Sequence, residues 1–294
     1  MSSYLSIVVR VILPTFALVC AATPSTAAEK VLLRYKFLPG ETVAWDVTHR
    51  AAVRTTISGT TQSVETLTRS TKLWQIDEVR GDDTFVLRNF VTHVDMTQRV
   101  SGRRELRFST DDEGTPPPEF QPIAETVDKP LAVITLNARG QIVSRKQLVE
   151  HAAQSIGNVT VPLPEEPVGE GDSWVEPMNI ELPDTGGRIM RVKAQQKFTL
   201  ERLQSGIAVI RMQTQILTPI ENPAMEAKLV QHLLNGTVRF DVDAGRIVAQ
   251  QLDVDKEIVG FRGDASSFHY ATRFEEKLLD KEAAVAALPA DAKR

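Results

Sequence analysis

Cysteine is almost absent: Cys20 is the only one in 294 residues. It lies in an N-terminal stretch that reads as removable, so the mature chain is expected to hold none. Disulfide staples, thiolate zinc sites and a cysteine nucleophile are thereby excluded. Nucleotide motifs are lacking too. There is no G-x-x-x-x-G-K-[ST] and no G-x-G-x-x-G, and the two glycines of Gly169-Glu170-Gly171 sit in a Pro-rich stretch. The histidines show no metal-ligand spacing of the H-E-x-x-H kind, and G-x-S-x-G is missing. No basic surplus points to nucleic acid, since 34 Lys and Arg face 38 Asp and Glu for a formal net charge of −4. No long acidic block suggests a disordered tail.

What is present begins with an address. Residues 1–28 read as a secretory signal peptide: Arg10 near the start, an apolar run from Val11 to Ala22, and small residues at Ser25-Thr26-Ala27-Ala28. The apolar run is short and carries Pro14, against the roughly 20 apolar residues of a membrane span. Cleavage near Ala27 or Ala28 is expected, followed by residence in the periplasm or cell envelope. Removing Arg10 takes the net charge from −4 to −5.

The rest reads as β-structure. In Gly236 to Asp255, Val238, Phe240 and Val242 alternate with Thr237, Arg239 and Asp241. Asp243-Ala244-Gly245 supplies a turn, and a second strand follows from Arg246. Pro130 to Arg145 repeats the design, with its turn at Asn137-Ala138-Arg139-Gly140. Elsewhere Val31 to Phe37 is expected as a first strand. Thr42 to Ile57 alternates for some 15 residues, which predicts a long strand with one wet face. Return strands are expected over 62–79, 84–96 and 103–109, then 188–203, 207–217 and 266–274. Short helices are expected over 120–127 and 147–155 and from the Asn222-Pro223 cap. The residues after Glu275 read as helical, then fraying.

Both halves therefore run long hairpin, short helix, closing hairpin. The expected division is residues 29–148, a helix and Pro/Gly linker over 149–171, residues 172–280, and a flexible tail from 281. The fold class is mainly β: long antiparallel curved sheets, half-barrel-like, built as two similar halves with a few short helices.

Candidate site residues are few. Trp45, Trp74 and Trp174 can line an aromatic pocket, although aromatics at strand ends more often fill core. His49 shares the inward parity of Trp45 and Val47, where a satisfied core histidine is the plainer reading. His93 and His269 fall on polar parities. Asp241, Asp243, Asp253 and Asp255 faintly resemble a calcium loop but lack its third carboxylate and its closing Glu, so a solvated sheet face is the better account. No metal, cofactor or catalytic residue is assigned.

Three motifs carry a resemblance: Leu38-Pro39-Gly40-Glu41, Gly171-Asp172-Ser173-Trp174, and Val238 to Arg246 read as V-x-F-D-x-x-x-G-R. With them the chain resembles a set of uncharacterised bacterial exported β-rich proteins whose activity is unknown. In pattern alone it also resembles the LolA-like periplasmic lipoprotein carriers. That likeness implies a curved sheet holding acyl chains beneath a helical lid. The strands are long enough that a sheet of them must bend and present a concave face. A non-enzymatic protein holding a lipid or other apolar ligand on that face is the expected function, with at most transient membrane contact. An envelope structural or interaction protein is the alternative, and a hydrolase-type enzyme a distant third.

Overall fold

The structure is a computed structural model that describes residues 30–149, 160–183 and 187–289. The stretch read as a signal peptide with Cys20, His151, and residues 150–155 of the expected 147–155 helix lie outside the described residues, and Gln147 ends a strand instead.

Among the described residues twelve strands form one antiparallel sheet. They are β1 (Thr42–Ile57), β2 (Thr60–Val79), β3 (Thr84–Val100), β4 (Leu106–Ser109), β5 (Ala132–Asn137), β6 (Ile142–Gln147), β7 (Ser173–Pro183), β8 (Ile189–Gln204), β9 (Ile207–Ile216), β10 (Asn235–Asp241), β11 (Arg246–Val259) and β12 (Ser266–Leu278). Three short helices accompany them: α1 (Gln121–Ala124), α2 (Pro223–Leu229) and α3 (Lys281–Ala286). The spatial order is β6-β5-β3-β2-β1-β12-β11-β10-β9-β8-β7, with β4 beside β3. The sheet does not close, and β6 and β7 are its edges.

The order shows a design used twice. In the first half β1, β2 and β3 form a meander, α1 follows, and the β5–β6 hairpin adds beside β3. In the second half β7, β8 and β9 form a meander, α2 follows, and β10–β11 adds beside β9. β12 then joins the halves by pairing with both β11 and β1. The two halves make one continuous sheet.

Alternation decides which face is covered. On β1, Val43, Trp45 and Val47 are buried while Asp46 and Arg50 are exposed. Register carries this inner face across the sheet. His49 lies opposite Thr68 on β2 and Phe274 on β12. Phe274 faces Leu252, Leu252 faces Gly236, Gly236 faces Met212, and Met212 faces Phe198. A side chain at Gly236 would meet the Gln251 carbonyl at 1.9 Å, so glycine lets β10 and β11 approach closely there.

The main core fills one end of the inner face, and two non-sheet segments plug it. Residues 31–37 were expected as a first strand. They are extended, and Leu33, Tyr35 and Phe37 are buried by alternation, yet they join the sheet nowhere. Their backbone bonds go to loops instead. Tyr35 N donates to Ala138 O at 2.8 Å, Lys36 N donates to Gly245 O at 3.0 Å, and Val31 bridges to Val168. The two related hairpin turns thus grip adjacent residues of one segment.

The second plug is the Pro/Gly stretch read as a linker. Val161 and Leu163 are buried, Leu163 N donates to Arg139 O at 2.8 Å, and Trp174 Nε1 donates to Pro162 O at 2.8 Å. The stretch spans the gap between the edge strands, where Gln141 Nε2 also reaches Glu176 at 3.3 Å. Burying each such aromatic or aliphatic side chain is worth about 1.5–3 kcal/mol, which is how a chain without disulfides holds this end shut.

The C-terminal residues expected to fray carry α3. Asp280 caps it by accepting from Ala283 N, and Ala284 and Ala287 pack on the outer face against Ala44, Leu73 and Phe90. The strand β12 also runs four residues beyond the expected 274. No helix among the described residues is long and apolar enough to cross a membrane.

Candidate functional site

Beyond the plugged core, the inner face carries on along β1 and β2. Ala51, Val53, Thr55 and Ile57 on β1, with Val64, Thr66 and Thr68 on β2, keep the inward parity and are only half-buried. Val53 lies opposite Val64 on one side and Tyr270 on the other, and Val64 lies opposite Val100. This makes a floor of methyl groups and short hydroxyls.

Each flank of that floor carries one helix. On the β3–β4 side, Phe120, Ile123, Ala124 and Val127 around α1 pack onto Val94, Met96 and Phe108. On the other side, Ala227 and Val230 around α2 pack onto Val254, Ile258, Phe268 and Tyr270. Met225 and Leu229 of α2 also reach Val192 and Ala194 on β8. Asn222 caps α2 through Ala224 N, and Lys256 pairs with Glu226 at 2.5 Å. The two helices, equivalents in the two halves, cover the inner face on either side of β1 and β2 and leave a half-buried strip, the trough, between them.

The sequence-chosen residues are placed as follows. Trp45 and Trp74 are buried at the core end of the trough, in edge contact with ring centroids 4.8 Å apart, and Trp45 Nε1 donates to Ile247 O at 2.9 Å. Neither offers surface to a ligand in the trough. His49 is half-buried where the floor begins, with Nε2 2.7 Å from Thr272 Oγ1, and burial holds its pKa below the usual histidine value. Trp174, the second residue of edge strand β7, stacks on Phe198 and packs against the same core cluster as Trp45 and Trp74. Of the four residues only His49 meets the trough, and the three tryptophans belong to the core beside it.

Two further residues belong here. Lys72 and Glu276 form an ion pair at 2.5 Å, with side-chain exposures of 17% and 0%. Lys72 Nζ lies 4.5 Å from the Trp45 ring centroid and 5.4 Å from that of Trp74. Both residues stand on inward parities, Lys72 with Trp74 and Glu276 with Phe274. A charge on an inward parity was the available signal, and sequence reasoning that screened for motifs passed over it.

The outer face is different. Two shallow grooves of about 390 Å³ each run over β1, β12 and β11. Charge pairs cross this face in a ladder: Arg50 with Glu275, Arg273 with Asp253, and His269 with Asp255, each at 2.7 Å. Exposed pairs of this kind belong to a solvated face. Asp241 of the β10–β11 hairpin serves its own turn, Oδ1 accepting from Ala244 N. Among the described residues no cluster of three or more potential metal ligands occurs.

No family model matches the chain, and no curated protein matches it. Distant likenesses occur among solved structures. A lipovitellin structure, described by its lipid–protein interactions, is 9% identical with a TM-score of 0.42; the likeness covers 83% of this chain and 26% of that one. This chain thus spans about a quarter of the lipovitellin chain. A DUF1329 family protein from Desulfovibrio piger is 12% identical with a TM-score of 0.14, covering 77% of this chain and 83% of that one. At such scores neither likeness bears on what this protein binds.

Proposed function

We propose that the protein is an exported, non-enzymatic binding protein that takes up an apolar ligand, such as a lipid acyl chain, in the inner trough between α1 and α2. The half-buried floor of Ala51, Val53, Ile57 and Val64 carries this reading. The charged side chains of β1 point to the other face, and the walls are apolar at Phe120, Ile123, Phe268 and Tyr270. A trough of methyls and rings releases water to an apolar guest and offers it few polar demands. The export reading rests on residues 1–28 alone. It is checked by N-terminal sequencing of protein purified from its native host, which should start near residue 28 or 29.

The test of the ligand is native mass spectrometry of residues 29–294, purified gently from a bacterial envelope, with lipid extraction of the same sample. Val53→Trp is the matching variant, since Val53 sits mid-floor between Val64 and Tyr270. A co-purifying lipid that Val53→Trp abolishes is the expected result. An empty monomer, or a lipid retained in full by Val53→Trp, sinks the reading and moves the weight to an envelope interaction protein.

A further inference from the structure

The deep end of the trough holds an acceptor without a donor. Glu276 is 3% exposed, and while Oε2 takes the Lys72 ammonium, Oε1 has no hydrogen-bond partner among the described residues. A buried carboxylate oxygen left unmet is costly and calls for a donor. Trp45 Nε1 is committed to Ile247 O and the Tyr35 hydroxyl to Val161 O, and the buried Gln250 opposite Glu276 on β11 makes no bond to Oε1. Glu276 faces Val47 across β1, and the next inward pair along the same strands is His49 with Phe274. The pair thus lies about 7 Å, two strand residues, from where the open floor starts. Lys72 keeps 17% of its side chain exposed while that of Glu276 is 0% exposed, so a ligand head meets Oε1 only by displacing the side chains that cover it.

We propose that Glu276 Oε1 is the acceptor for the polar end of the trough's ligand. The ligand is then an amphiphile whose head is a hydrogen-bond donor, an alcohol or an amine, with its tail along Val53 and Val64. This rests on the trough being the ligand site. The charge balance argues against an anionic head. Lys72 is already neutralised by Glu276 and held over two tryptophan rings. A carboxylate or phosphate would compete with Glu276 for one cation and would face its free oxygen with a second negative charge. A hydroxyl or ammonium would complete the carboxylate's bonding and leave the ion pair intact.

The experiment is competition at neutral pH for a fluorescent apolar probe on wild-type residues 29–294, using dodecanol, dodecylamine, dodecanoate and dodecyl phosphate. The tail is constant, so only the head varies. The amine and the alcohol are expected to bind about tenfold more tightly than the two anions, the worth of one hydrogen bond to a charged group. Glu276→Gln should erase the amine's advantage. Lys72→Gln, at a less buried position, should enlarge it by freeing the whole carboxylate, and it serves should Glu276→Gln fail to fold. If all four compete equally, or the anions win, the acceptor is met by an internal water and this inference falls while the trough reading stands. If none competes, both fall.

Discussion

The Tyr35 hydroxyl and the Val161 peptide bond each other twice. Val161 N donates to Tyr35 Oη at 3.0 Å, and Oη donates to Val161 O at 3.2 Å. One phenol thereby satisfies both backbone groups of a residue in the other plug, and burial pushes its pKa up. Tyr35→Phe keeps the ring contacts with Phe37 and Phe240 and orphans both Val161 groups. The expected loss is about 1–2 kcal/mol by urea unfolding, and Tyr35→Ala should lose about 3–5 kcal/mol because it also opens a cavity.

One of the two hairpin turns that hold this segment can be compared with a turn that holds nothing. Gly245 has φ +63°, and a Cβ there would lie 2.6 Å from Lys36 N. Gly59 has φ +82° in the β1–β2 turn with nothing within 4 Å. Both substitutions to Ala carry the left-handed strain of about 1–2 kcal/mol. Only Gly245→Ala also pushes on the backbone of the plug. It should cost at least about 3 kcal/mol and Gly59→Ala about 1 kcal/mol. Equal losses in thermal unfolding would show that the turn does not clamp Lys36.

Much of this fold was legible before any coordinates. Alternation named the two faces of β1 along its whole length, and the kinship of the turns at Asn137–Gly140 and Asp243–Gly245 corresponds to one topology used twice. Pairing partners were not legible. Val31–Phe37 alternates like a strand, yet its hydrogen bonds go to turns, and periodicity reports a face rather than a neighbour. Strand β7 was missed because it carries Pro177 and Pro183, which an edge strand tolerates. Prolines also disguised 161–168, whose alternating Val161 and Leu163 are core. The trough was foreseeable only as a concave face, because the helices that wall it are four and seven residues long. Lys72 and Glu276 lie 204 residues apart, and no local pattern joins them.

That ion pair predicts an asymmetry. Glu276→Ala leaves Lys72 against two indoles without its counter-ion and is expected to cost about 3–5 kcal/mol. Lys72→Met with Glu276→Leu replaces both charges by similar volume among Trp45, Trp74 and Phe274. It should lie within about 1 kcal/mol of wild type, or above it. Urea curves on the single and double variants decide the matter. A double variant as unstable as Glu276→Ala would mean that the pair's geometry, and not its neutralisation, holds this end of the sheet.

Acid should loosen the same region through His49. Burial holds its folded pKa below the ordinary histidine value, near which the unfolded chain titrates. Between those two values the unfolded state binds more protons than the folded one, so stability rises with pH across that window. His49 thus contributes stability that is fully present above about pH 6.5 and is lost as pH falls toward the folded pKa. His232 on the α2 side is shifted in the same direction by the same cause. His49→Gln keeps a group able to reach Thr272 Oγ1 and cannot charge. Its melting temperature should therefore fall less than that of wild type between pH 7.5 and pH 5.5. Parallel melting curves across that interval would assign the acid sensitivity to other groups. Since His49 lies where the floor of the trough begins, a steeper wild-type fall should be matched by release of any bound apolar probe over the same pH range.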